Sequence, residues 1–134
     1  MIFIRQNTTN NVPLTLNELA TISPFDVLFE FINDTTGDTK IFAAQDVSPA
    51  TERYNRFNII ESTSENLYVG QVELAEVGYW SYTIYEMNVS SPPDLDPNNA
   101  IKVLEVGKAL VVPNSVSPDY TFTVDDNKNN VTFE

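Results

Sequence analysis

Apolar and polar residues alternate with a period of two along most of this chain, and that spacing commits a segment to a pleated strand with one buried face. In residues 25–32 the alternation sets Val27, Phe29 and Phe31 on one face against Asp26, Leu28, Glu30 and Ile32 on the other. The strongest run is residues 79–87, where Trp80, Tyr82 and Ile84 share one face and Tyr79, Ser81, Thr83 and Tyr85 share the opposite one. Val12, Leu14 and Leu16 alternate with Pro13, Thr15 and Asn17, and a proline there is expected on an edge strand or at a strand start. In residues 53–60, Tyr54, Arg56, Asn58 and Ile60 oppose Asn55, Phe57 and Ile59. Residues 2–5, 39–44 and 71–74 are further strand candidates, and the polar run from Asn33 to Asp38, with Gly37, supplies the turn of a hairpin between 25–32 and 39–44.

Residues 101–112 are apolar with a glycine at 107, which predicts one long strand or two short ones joined at a bulge. Helical periodicity is scarce. One or two helical turns are expected near residues 97–102, with Asp96 as N-cap and Pro97 in the first helical position. About eight strands separated by turn signals predict an all-β fold, an immunoglobulin-like or jelly-roll-like antiparallel β-sandwich. Composition shifts at Pro113. The expected organisation is therefore a sandwich over residues 1–112 and a segment over 113–134 that is either a final hairpin or an extended arm. Its β-friendly pieces, residues 120–124 and 131–133, flank a polar loop.

A length of 134 residues suits one domain with a core of its own. The chain has no cysteine, which removes thiol nucleophiles, disulfides and thiolate-held metals, and no histidine, which removes the usual general base near neutral pH. Nineteen acids against seven bases leave a net charge of −12, opposing a sequence-independent grip on nucleic acid or on an anionic membrane. The start of the chain has too few apolar residues for an export signal, and no window reaches membrane-helix length. The four Asn-x-Ser/Thr triplets, at Asn7, Asn33, Asn88 and Asn130, are read as chance in a chain rich in Asn and Thr.

Motifs that carry chemistry are few. Asp94, Asp96 and Asn98, with Glu105 at the twelfth position, repeat the skeleton of an EF-hand calcium loop. The sixth position, where that loop turns on glycine, is Asn99, Pro97 fills the fourth, and the flanks read as strands; the ordinary reading is a capped polar loop. The pairs Asp125–Asp126 and Glu73–Glu76 reflect no more than the acid density of the chain, although paired carboxylates serve glycoside chemistry elsewhere. A Ser or Thr nucleophile lacks a base, Ser-x-x-Lys is absent, and the four glycines are scattered singly, so there is no phosphate loop. No enzyme and no cofactor are expected. The aromatic cluster divides by parity. Trp80 and Tyr82 read as core, whereas Tyr79 and Tyr85 face outward as either ordinary surface residues or a platform for a sugar or protein partner. Arg53 and Arg56 near Tyr54 are solvated charges or an anchor for an acidic partner strand.

The segment from Gly78 through Trp80, Tyr82, Ile84, Tyr85 and Glu86, with the polar loop after it and residues 104–112, resembles small β-sandwich proteins from the structural modules of tailed bacteriophages. Thr8, Thr9, Asn10 and Asn11 before Leu14 and Leu16, and residues 28–34, fit the same pattern, so the resemblance spans most of residues 1–112. The Gly-x-Trp-x-Tyr-x-Ile-Tyr-Glu stretch also describes a core strand of many immunoglobulin-like domains. The resemblance implies a non-enzymatic virion component, assembled in the host cytoplasm, in the role of a capsid decoration protein, a head-fibre base or a tail or baseplate adaptor. Its partners would be other virion proteins, such as the major capsid protein or a fibre or tail protein, with a homo-oligomer or many copies per particle and no nucleic acid or membrane. Tyr79, Tyr85, Tyr120 and Phe122 are the expected partner-binding residues. The competing expectation is a carbohydrate- or host-surface-binding module that uses Tyr79, Tyr85 or the loop 88–99.

Overall fold

The computed structural model describes residues 1–16, 18–22, 25–47 and 55–114. Eight strands occupy them: β1 Ile2–Arg5, β2 Thr9–Leu14, β3 Asp26–Asn33, β4 Thr39–Ala44, β5 Asn55–Glu61, β6 Gln71–Val72, β7 Gly78–Met87 and β8 Lys102–Val112. A single 3-10 turn, Pro97–Asn99, is the one helical element among the described residues, and Asp96 caps it through a bond from the Asn98 N–H. The strands form a five-stranded sheet, in the order β1-β8-β7-β3-β4, and a three-stranded sheet, β2-β5-β6. The protein is a β-sandwich of eight strands, as the alternation predicts.

Parity decides which faces meet. Val27, Phe29 and Phe31 of β3 and Trp80, Tyr82 and Ile84 of β7 are buried from the large sheet, and Phe57 and Ile59 of β5 from the small one. Phe29 stacks on Phe42 at 5.3 Å between ring centres and meets Phe57 edge-on at 5.3 Å, which ties β3 and β4 to β5 across the interior. Each such side chain contributes about 1.5–3 kcal/mol on leaving water. Leu16 is also fully buried, although β2 ends at Leu14; its N–H is taken by Asn55 Oδ1 at 2.8 Å. Pro13 lies in β2, an edge strand, where its missing N–H costs no ladder bond.

The β3–β4 hairpin turns at the predicted polar run. Asn33 Oδ1 accepts the N–H groups of Thr35 and Thr36, each at 2.8 Å, and Gly37 adopts φ +80°, a left-handed conformation that favours glycine. Two pairings depart from the antiparallel expectation. β1 runs parallel to β8, and the two-residue β6 runs parallel to β5. The first of these joins opposite ends of the described chain, which no local pattern encodes.

Residues 102–112 form one strand, and its bulge is not at Gly107. The register slips where Ile84 faces Glu105 and Tyr85 faces Val103, leaving Leu104 as the extra residue. Gly107 answers a different demand, since it pairs with Tyr82, and a Cβ there would stand 2.8–2.9 Å from the phenol ring. The strand keeps glycine so that the ring can lie across it.

Candidate functional site

Of the four residues on the EF-hand spacing, Asp94, Asp96 and Glu105 accept hydrogen bonds from within the protein. Asp94 accepts the Asp96 N–H and the Asn99 side-chain amide at 2.9 and 2.8 Å, and Asp96 is the cap of the 3-10 turn. Asn98 is the turn residue whose N–H reaches that cap. Glu105 is engaged by the Tyr82 hydroxyl, which donates to Oε2. Among the described residues no group of three or more His, Cys, Asp or Glu could hold a metal ion. The EF-hand spacing is therefore a capped loop followed by a strand, because its flanks are pleated and Pro97 opens a 3-10 turn where the calcium loop would fold inward.

Of the expected partner-binding residues, Tyr79 and Tyr85 share the outer face of the large sheet but differ in state. Tyr79 is 54% exposed. Tyr85 is half-buried and donates its hydroxyl to Glu30 Oε1 at 2.7 Å, and that bond, with burial and the nearby carboxylate charge, pushes its ionisation up to about 12. Burial is the first cause of the stronger upward shift at Tyr82, followed by its bond to Glu105. Tyr120 and Phe122, like Arg53 and Tyr54, lie outside the described residues.

Three surface features cluster at the β1–β8 side of the molecule. The first is an outward apolar row: Tyr79 pairs with Leu110, and Leu110 pairs with Phe3, which is 65% exposed. The second is a strand edge. β1 covers β8 only from Ala109 to Val112, so over residues 102–108 β8 has β7 on one side and no strand on the other among the described residues. Val103 and Val106 stand exposed on that stretch, with Lys102 and Lys108 at its two ends. Lys108 bonds Asp34 at 2.7 Å and Ser81 at 2.9 Å, and its bond holds the Asp34 carboxyl below the usual range, with help from Ser81.

The third feature is a cleft of about 340 Å³ where β1 begins. Its walls are Ile2 and Phe3 on one side and residues 11–14 of β2 on the other, and Tyr82 and Glu105 line it too. Since β2 is itself an edge strand, the cleft is a seam between two sheet edges, one from each layer. Apolar walls with a few polar groups are the usual makeup of a binding cleft.

Sequence reasoning did not single out Phe3, Lys102 or Lys108. In Ile2-Phe3-Ile4 every residue is apolar, so parity is silent about which one faces water. It also passed over two buried carboxylates. Glu86, with no exposed surface, accepts the N–H groups of Thr21 and Ile22 at 2.7 and 2.9 Å and the Thr21 hydroxyl at 3.0 Å. Glu61 accepts the N–H groups of Asn7 and Leu74, each at 2.8 Å. Both carboxylates satisfy backbone donors in loops, which is structural work. Comparison with protein-family models, with curated proteins and with solved structures finds no match in any of the three.

Proposed function

We propose that this chain is a non-enzymatic structural component of a phage virion, a capsid auxiliary, decoration or head-fibre attachment protein, whose work is to bind neighbouring virion proteins through its sheet edges. The observation that carries the binding part is the β1–β8 side, where an apolar row, a strand edge left uncovered among the described residues and an open seam occur together. Strand edges and apolar rows are surfaces on which backbones pair and side chains dock. The phage part rests on the sequence resemblance over residues 1–112. The strand order β8-β7-β3-β4 opposed to β2 and β5 favours the immunoglobulin-like arrangement over the jelly roll, since it has the layout of the G-F-C-C′ sheet against strands B and E. A negative exterior keeps copies soluble and apart before assembly.

The test is quantitative mass spectrometry of density-purified phage particles that encode the chain, followed by immunogold labelling. The chain is expected in many copies per particle and at one position on its surface; its absence from intact particles would overturn the reading. Exposed Tyr79 is the observation that favours sugar recognition instead. A glycan array separates the two, because a saturable sugar affinity lost in Tyr79→Ala belongs to recognition and not to assembly.

A further inference from the structure

We propose that the cleft beside β1 receives a lysine side chain from a neighbouring protein, with Glu105 taking the ammonium and the cleft walls taking the aliphatic stem. The proposal rests on the assembly reading above and names the chemistry of the contact.

The cleft opens where β8 loses its cover. β1 pairs with β8 only from Ala109 onward, so before that point β8 has no strand on this side among the described residues. Gly107 contributes no side chain there, and the Tyr82 ring lies across it. Glu105 is the next residue of the same parity. It pairs with Ile84, a core residue, so its carboxylate is set on the inner face of the sheet and lines the cleft. The other walls are Ile2 and Phe3 of β1 and, from β2, Val12 and Leu14.

A carboxylate among apolar walls selects its occupant by charge. Glu105 accepts one hydrogen bond, from the Tyr82 hydroxyl to Oε2, and no ion pair joins it to a base or to the Met1 amine among the described residues. Oε1 is left for a cation. The walls ask for a cation carried on an apolar stem, which describes lysine and arginine. The engaged Oε2 separates the two. A guanidinium gains most when its fork spans both carboxylate oxygens, whereas an ammonium is a point charge that needs only one.

A lysine borne by a protein fits better than a free amine. Phe3 lines the cleft, is largely exposed and opens the apolar row through Leu110 to Tyr79, a landing surface for the residues beside that lysine. A chain with a net charge of −12 also draws a basic partner. An inward charge on a sheet edge serves to discourage strand pairing as well, and that duty alone confers no affinity for amines.

The test titrates the full-length chain with Nα-acetyl-lysine N-methylamide and follows backbone amide shifts by proton–nitrogen correlation NMR. The same compound built on norleucine has the stem without the charge, and one built on arginine has the fork. Saturable shifts are expected at Phe3, Val12, Leu14 and Gly107 with the lysine compound, and a several-fold weaker affinity for the other two. Glu105→Gln should weaken lysine to the level of norleucine. Tyr82→Phe frees Oε2 and should narrow the preference for lysine over arginine, which a merely structural hydroxyl would not do. The norleucine comparison uses the unaltered chain, so it decides even where a variant fails to fold. Equal affinity for lysine and norleucine would overturn the proposal, as would shifts confined to acids elsewhere on the surface. Tighter binding of n-butylammonium than of the lysine compound would make a free amine the ligand and overturn the protein partner. The two readings fail separately. Loss of lysine selectivity with the chain still present in particles sinks the cleft contact alone, whereas selective lysine binding with no chain in particles sinks the virion reading.

Discussion

Tyr85 and Glu30 form a pair whose proton can be followed directly. The Glu30 carboxylate accepts the phenol proton at 2.7 Å, so ionising Tyr85 breaks a bond and sets two negative charges side by side. Its folded value near 12 lies above the ordinary value of 10.0, so the stability it contributes is full below pH 10 and is lost as the pH rises through 12. Glu30→Gln should return the Tyr85 ionisation toward 10, read by ultraviolet absorbance of tyrosinate against a Tyr85→Phe control; an unchanged titration would remove the pair as the cause. At this scale the sequence was readable to the extent that parity reaches. Trp80, Tyr82 and Ile84 are buried as their alternation requires, and Tyr79 is exposed. The same parity, carried one step further, points Glu86 inward after Ile84, and Glu61 inward after Phe57 and Ile59. Those two acids were legible, and an assumption that carboxylates face water hid them. What no parity could supply is their partners, the N–H groups of Thr21, Ile22, Asn7 and Leu74, which lie in loops far along the chain.

Among the elements, β8 carries more than its share, because it is held by β7 throughout, by β1 at one end and by nothing described over the rest. Its existence and its length follow from a mainly apolar stretch of twelve residues, broken by Lys102, Glu105 and Lys108, and Gly107 within it was legible as a special position. The reason was not. The glycine stands opposite Tyr82, whose ring is buried and whose hydroxyl is fixed on Glu105 two residues along, so the ring cannot swing aside. Gly107→Ala should cost about 1–3 kcal/mol, the range for overpacking a filled site. In a Tyr82→Ala background the same substitution should cost little, and chemical denaturation of the four variants measures the coupling. An equal cost in both backgrounds would mean that backbone conformation, not the ring, requires glycine. The parallel β1–β8 pairing was illegible for a simpler reason. Four residues, the first three all apolar, suit a strand but carry no address for a partner more than a hundred residues away.

For the whole molecule the governing quantity is the charge of −12, since copies that meet edge to edge must approach against mutual repulsion. Salt at about 0.1 M limits that repulsion to roughly 10 Å, so a contact between copies has to outweigh it only at short range. Lowering the pH from 7 toward the isoelectric point near 4.1 removes the repulsion by protonating acids. Two carboxyls hold out longer. Asp34 is kept below its ordinary value by its bond to Lys108, and Glu65 is kept below its own by the Glu73 N–H, with Lys40 at 2.9 Å as a second cause. Their folded values are lowered, so the stability they contribute is present above the ordinary carboxylate range and is lost only as the pH falls through the lowered values. Association should therefore strengthen as the surface acids are neutralised. With no histidine in the chain almost nothing titrates between pH 7 and 6, so sedimentation velocity should show no change there. Larger species should appear at pH 5 and again at pH 4.5 and return to the starting size at pH 7, with an unchanged near-ultraviolet circular dichroism signal. Loss of that signal at or before the onset of association would mean that partly unfolded chains are sticking together, and that the charge does not act as a barrier between folded copies.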